Sequence, residues 1–379
     1  MPFLSGTVYC TLEYDNKYYF SGSIHAAQRY QSFGSSVFNA TVLSQLPFYP
    51  LDQQPVVTAG AVINSTIILG GQFTLPGNIK NIALYQNSSW RGVEGSDWKG
   101  TIYSMVAHQD TLYVGGESLG GAGKAFAAFG LTNGSLMLSP NITTSDGSNA
   151  SVSVVRPVSA QNAIIVGGHF SLVGELGCST VCALDTRNHQ WLPLGSGLAG
   201  QVTDIEYIDG KLVVTGNMTL NNSPITIAEY DFEKQVWGPF ATANLPGPSV
   251  AMTYDNVTKH TFISGKDSTN GSTYLRVWNG QQFNPIDQGL GSGSVISKMY
   301  SLPVKDTTQN TLLATGLINL GSLGNVSAAF FDGQQWTPYL VTSSASADGF
   351  LRSLFYFDIP SIPSTIRRKW HKALNKQTY

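Results

Sequence analysis

Apolar and polar residues alternate along most of this chain in short runs that turn residues interrupt. Residues 200–237 carry the pattern most plainly. Gly200-Gln-Val202-Thr-Asp-Ile205-Glu-Tyr207 alternates up to the turn Asp209-Gly210, and the β-branched run Lys211-Leu-Val-Val-Thr-Gly216 follows. A polar loop with Asn217, Asn221 and Asn222 gives way to Ile225-Thr-Ile227-Ala-Glu-Tyr230-Asp231 and a closing Trp237. Period-two alternation broken by Asp-Gly and Asn-rich turns marks antiparallel strands. The stretch predicts four strands in one up-and-down sheet.

The same unit recurs. A glycine ends the second strand at Gly22, Gly71, Gly116, Gly168, Gly216, Gly265 and Gly316, at intervals of 49, 45, 52, 48, 49 and 51. Other landmarks keep step. A short turn precedes the second strand at Asp15-Asn16, Asn64-Ser65, Gln109-Asp110 and Asp209-Gly210. An aromatic or Leu, often with Asp, leads to a Trp or Phe a few residues on: Tyr85 to Trp90, Leu184-Asp185 to Trp191, Tyr230-Asp231 to Trp237, Trp278 to Phe283, Phe331-Asp332 to Trp336. Units one and three offer only Phe38 and Phe129. Four-stranded units at a period near ~50 predict an all-β, kelch-like β-propeller of about seven four-stranded blades. A blade cannot bury either apolar face alone, so neighbours stack, with the Trp packed between them. The Gly-Gly pairs would permit φ > 0 and close backbone approach at the strand end. The domain reading is a propeller over residues 1–358, including an eighth first strand at Gly349-Phe-Leu351-Arg-Ser-Leu354-Phe-Tyr-Phe357. A basic tail occupies 359–379.

Composition agrees with a turn-rich β protein. Charged residues are 12% of the chain, against a typical ~25%, and Gly accounts for 40 of 379. Five of the 21 basic residues (Arg367, Arg368, Lys369, Lys372, Lys376) lie in the tail, which leaves residues 1–366 with 16 basic against 23 acidic. A mildly acidic body gives no electrostatic reason for nucleic acid. The tail could form a short helix with Ile366, Trp370 and Leu374 on one side, fit for an anionic membrane surface, or a solvated end. No window reaches the ~18 apolar residues of a membrane span, and Met1-Pro-Phe-Leu-Ser-Gly lacks the basic and apolar regions of a signal peptide.

Candidate chemistry is sparse. Asn-x-Ser/Thr sequons stand at Asn39, Asn64, Asn87, Asn133, Asn141, Asn149, Asn217, Asn221, Asn256, Asn270 and Asn325, several in expected turns, where a glycan acceptor must be exposed. They point to an exported, glycosylated segment of a longer protein. Cys178-Ser-Thr-Val-Cys182 reads as a loop-closing disulfide in an oxidising compartment or as two buried thiols, and Cys10 is left over. Gly116-Glu117-Ser118-Leu119-Gly120 matches a nucleophile elbow and follows a strand, but no helix or second oxyanion donor accompanies it. Around Gly123-Lys124 a phosphate loop fails, because Ser118 and Ala125 stand where Gly and Ser/Thr belong. His25, His108, His169, His189, His260 and His371 show no metal spacing. The expectation is no catalytic residue, no cofactor and no metal.

Leu176-Gly-Cys178-Ser-Thr-Val-Cys182-Ala-Leu-Asp185, leading to Gln190-Trp191 and Gly197-Leu-Ala-Gly-Gln-Val202-Thr-Asp, resembles the fungal cortical marker family for cell polarity, the bud-site-selection glycoproteins. Asp332-Gly-Gln-Gln-Trp336-Thr-Pro338-Tyr339-Leu resembles the family's last repeat before its membrane span. The resemblance covers most of residues 55–358. It implies a cell-surface, membrane-anchored landmark at sites of polarised growth or division. Such a landmark is non-catalytic and works through a membrane protein partner and the polarity machinery. A galactose-oxidase-like or other carbohydrate-active propeller enzyme is the alternative reading, and a cytosolic kelch adaptor a third.

Overall fold

The computed structural model describes residues 4–341, apart from 15–16, 28–34, 40–41, 53–54, 64–65, 96–97, 99, 118–124, 242–244 and 304–309; in strands before residue 46 only the backbone is described. The described residues form seven four-stranded antiparallel sheets, each in simple up-and-down order. These blades span 4–45, 56–92, 102–138, 151–193, 198–239, 249–285 and 295–341. The first strands (Leu4–Tyr14, Val56–Ile63, Ile102–His108, Ser151–Val158, Leu198–Ile208, Ser249–Asp255, Val295–Pro303) pack against one another in succession. They line the axis, and the fourth strands form the outer rim. The eighth first strand and the basic tail expected from the sequence lie outside the described residues.

Stacking explains the apolar pattern, because each blade interface holds its own core. Val154, Ile165 and Ala183 of the fourth blade meet Ile205, Leu212, Val214 and Trp237 of the fifth. Tyr113 and Phe126 of the third meet Val152, Ile164 and Cys182 of the fourth, with Trp191 edge-on to Phe126 at 5.2 Å. Three tryptophans also tie their blade to the segment that enters it. The indole N–H groups of Trp90, Trp237 and Trp336 donate to the carbonyls of Pro47, Leu194 and Ile286.

The recurring glycine has a single cause. In every blade the first strand carries a β-bulge, at Tyr9, Thr58, Tyr103, Ser153, Thr203, Val250 and Ser297. The residue before each bulge pairs with the register glycine: Val8 with Gly22, Val57 with Gly71, Ile102 with Gly116, Val152 with Gly168, Val202 with Gly216, Ser249 with Gly265, Ile296 with Gly316. A bulge bends the strand towards its partner. At the six glycines whose surroundings are described, a β-carbon would overlap the carbonyl oxygen of the residue before the paired one. Close approach therefore holds, but φ > 0 does not; among the six only Gly316 lies there, at +146°.

The fifth blade refines the sequence reading. Its second strand is Lys211–Leu220 and its third Ser223–Asp231, so Asn217 lies within a strand and the loop shrinks to a turn at Asn221-Asn222. Pairing is irregular only between Thr215 and Met218, then resumes with Met218 opposite Ile225. The two turn asparagines take φ of 50° and 66°, the left-handed values that a tight hairpin needs. A small three-stranded sheet of Ile142–Thr143, Leu172–Val173 and Leu176–Gly177 stands beside the fourth blade and has no counterpart among the described residues of the other blades.

Candidate functional site

Two regions gather the polar chemistry of the described residues: the axis, and the loops that carry the sequons. At the axis, Arg156 of the fourth blade donates from Nη2 to Glu206 Oε1 of the fifth at 2.7 Å and from Nε to the Ile205 carbonyl at 2.9 Å. Burial pushes the Glu206 carboxyl up from its ordinary range, and the Arg156 guanidinium pulls it back. Asp204 is almost fully buried. Its carboxylate accepts the Ile205 amide at 3.0 Å and the Met252 amide of the sixth blade at 3.1 Å. Lys298 of the seventh blade completes the set, 3.4 Å from Asp204 Oδ2. Each charge thus has its counter-charge, and the cluster ties four blades together. Hydroxyls extend the same stitching. Thr203 Oγ1 donates to the Ser249 carbonyl, and Ser104 Oγ accepts the Val155 amide. Because Asp204 and Lys298 are 94 residues apart, no local sequence signal joined them.

The sequons lie where glycans have room. Asn87, Asn133, Asn141, Asn149, Asn217, Asn221, Asn256 and Asn270 are exposed, and Asn325 is half-buried. Asn39 ends the strand Ser35–Asn39, and Asn64 lies outside the described residues. Asn133 and Asn270 each accept the amide of their own sequon serine, Ser135 and Ser272, so these two sequons are small Asx turns. Cys178 and Cys182 are joined by a disulfide, with both residues buried. It links the end of the small three-stranded sheet to the third strand of the fourth blade, Val181–Asp185. The Cys10 side chain lies outside what is described.

The remaining sequence candidates do not converge. Gly116 ends its strand in register, while Ser118 through Lys124 lie outside the described residues. His108, His169, His189 and His260 sit on separate elements, and the His25 and His371 side chains are not described. Among the described residues no group of three or more His, Cys, Asp or Glu side chains could hold a metal. Sequence reasoning missed one contact: His169 Nε2 lies 3.1 Å from Ser148 Oγ. That hydroxyl also meets Asp146 Oδ1 at 2.6 Å, and the Ser148 hydrogen bonds hold the Asp146 carboxyl down to about 2. The serine is thus part of an exposed turn beside the Asn149 sequon. No described helix is long and apolar enough to cross a membrane.

Comparison with known proteins agrees with this architecture. The chain is 28% identical over 321 residues to polarized growth protein L1 of a Phoma species, covering 77% of this chain and 24% of that protein. It is 22% identical over 379 residues to polarized growth protein RAX2 of Candida albicans, covering 90% and 26%. It is also 22% identical over 226 residues to bud site selection protein RAX2 of Saccharomyces cerevisiae, covering 55% and 18%. The chain thus spans about a quarter of the length of the first two of these relatives. Among solved structures, a GH74 xyloglucanase from Xanthomonas campestris superposes with a TM-score of 0.55 at 12% identity, over 92% of this chain and 54% of that one. A chain of the mitotic checkpoint complex gives 0.51 at 12%, over 83% and 91%. Likeness at that identity concerns the fold alone. The family description "Rax2 C-terminal beta propeller domain" matches residues 126–361. With bulged blades, stacked cores and this match over more than half its length, the chain belongs to the Rax2 C-terminal beta propeller family.

Proposed function

We propose that this propeller is a non-catalytic interaction module displayed outside the cell, part of a larger landmark that marks sites of polarised growth or bud emergence. The observation that carries the reading is the likeness to three fungal proteins named for polarised growth or bud site selection. Eight exposed sequons and a buried disulfide fit an exported chain, since both are made in the secretory pathway. The mutually neutralised axial cluster fits a scaffold rather than a reaction centre. On this reading the propeller is held at the cell surface by sequence elsewhere in the protein, and it engages a membrane protein partner that passes position to the polarity machinery.

The test is deletion of the propeller at its native locus, with the rest of the gene in frame and a fluorescent tag retained. Growth or bud sites should lose their normal placement while the protein still reaches the surface. Unchanged site selection, or a wild-type protein that stays cytosolic and unglycosylated, would overturn the proposal.

A further inference from the structure

The outer rim of the propeller shows two kinds of blade. In the fourth to seventh blades the outer strand contains a proline two residues after its aromatic: Trp191 and Pro193, Trp237 and Pro239, Phe283 and Pro285, Trp336 and Pro338. These prolines pair with Cys182, Ala228, Arg276 and Ala329. The Asp185 amide bonds to the Gln190 carbonyl, so by the alternation of an antiparallel ladder Pro193 falls at a position whose nitrogen faces outward. The same count from Asn279–Gln282 and Asp332–Gln335 places Pro285 and Pro338 alike. A proline there removes an amide that another strand could bind, a common defence of sheet edges.

The first three blades lack this defence. Their outer strands, Val42–Gln45, Ser89–Gly92 and Leu136–Leu138, contain no proline; Pro47 and Pro140 come only after the strands end. Gly92 holds the place of Pro193, opposite Ala83. The third blade exposes Leu136 and Met137 on its edge, and the guarded fourth and fifth expose Leu192 and Val236 likewise, so the proline and not apolar exposure separates the two kinds. These same three blades, and no others, carry a sequon at the end of the third strand or in the turn after it: Asn39 ends its strand, and Asn87 and Asn133 lie in the turn. In the other four blades that turn holds none. Asn87 and Asn133 are exposed, and Asn87 sits at the hairpin tip with φ of 50°.

We propose that N-linked glycans at Asn39, Asn87 and Asn133 guard the outer edges of the first three blades against strand pairing, as prolines do in the other four. A glycan is bulky and hydrated, and one attached at the hairpin end stands next to the start of the outer strand. This inference rests on the reading of the chain as an exported glycoprotein.

The experiment uses the 379-residue chain secreted from a yeast host. Thr41→Ala, Ser89→Ala and Ser135→Ala together remove the three glycans yet keep the asparagines. Peptide mass spectrometry reads occupancy, and sedimentation reads mass against concentration. The triple variant should associate to about twice the monomer mass or beyond as concentration rises. Adding Gln45→Pro and Gly92→Pro should lower the associated mass; the third blade is left without a proline because a bulge at Met137 turns Leu138 towards Ala128. Loss of the Asn217, Asn221 and Asn270 sequons should leave it monomeric. Trimming the folded wild-type protein with an endoglycosidase should reproduce the association without any substitution. Occupied sites with a triple variant and a trimmed protein that both stay monomeric would overturn this proposal alone. Eleven unoccupied sequons would overturn the export reading and this proposal with it.

Discussion

The ammonium of Lys298 lies 3.4 Å from the Asp204 carboxylate, joining the first strands of the seventh and fifth blades past the sixth that separates them. Asp204 reaches the sixth blade too, through the Met252 amide. One buried carboxylate therefore ties three consecutive blades. Truncating one member of such a set strands its partners in a site with little water. Asp204→Ala should cost about 3 kcal/mol in urea unfolding, from an orphaned amide and a displaced lysine. Lys298→Met should cost less. The lysine side chain is a third exposed, and Asp204 would keep both amides. Equal losses in the two variants would count against this ordering.

The register glycine supports a sharper contrast. At Gly216 a β-carbon would overlap the Gln201 carbonyl, which the bulge at Thr203 brings close. At Gly238, on the outer strand of the same blade, nothing lies near. Gly216→Ala should lower stability by about 3 kcal/mol or more, because the backbone of one strand must shift. Gly238→Ala should be neutral or stabilising by about 0.5 kcal/mol, since it only restricts the unfolded chain. Thermal unfolding of the two variants side by side checks the claim.

These two residues also show how far the fold was legible. The spacing of Gly22 through Gly316 disclosed seven blades, because a glycine forced by backbone contact must recur with the contact. The bulge behind it was harder to see: Thr58, Thr203 and Ser297 each donate a hydroxyl to the carbonyl before the register glycine, but Tyr103 and Val250 stand at the same place and hide the pattern. The third blade looked weak because Leu136, opposite Phe129, stands where other blades place an aromatic. The small extra sheet was invisible for a different reason. Strands of two residues, such as Ile142–Thr143, are too short to show a period. At the axis, Arg156, Asp204, Glu206 and Lys298 each resemble an ordinary surface charge until the ring gathers them. The aromatic-x-proline signal on the outer strands was present in the sequence, and its meaning came only with the register.

Asp185 links a recurrent sequence feature to pH. The Arg187 guanidinium and amide both donate to its carboxylate and hold it down to about 2, from an ordinary value of 3.8. A carboxyl depressed in the folded state contributes stability above its unfolded value and loses it as pH falls towards the folded one. The contribution should therefore be intact above about pH 4 and fade between pH 4 and 2. Asp185→Asn keeps an acceptor for the turn amide but carries no charge. Its denaturation midpoint should lie below that of the wild type at pH 6, and the gap should close by pH 2. A gap that stays constant across that range would remove the ion pair as its cause.

The disulfide closes a loop of few residues, so its effect on the unfolded chain is modest, about 2 kcal/mol in the chain-entropy account. Its position adds a kinetic consequence. Cys178 is 2% exposed and Cys182 fully buried, both packed in the core between the third and fourth blades. A thiolate must reach a sulfur in line to exchange with it, so the native fold should shield the bond from reductant. In native buffer, millimolar dithiothreitol should leave the pair oxidised for hours. Urea near the unfolding midpoint should expose it to rapid reduction, read by mass spectrometry after alkylation. Replacing both cysteines by Ala should lower the urea midpoint by the amount that corresponds to about 2 kcal/mol without changing the denaturant slope. Fast reduction of the folded chain would mean that the small sheet around Leu176–Gly177 opens independently of the blade beneath it.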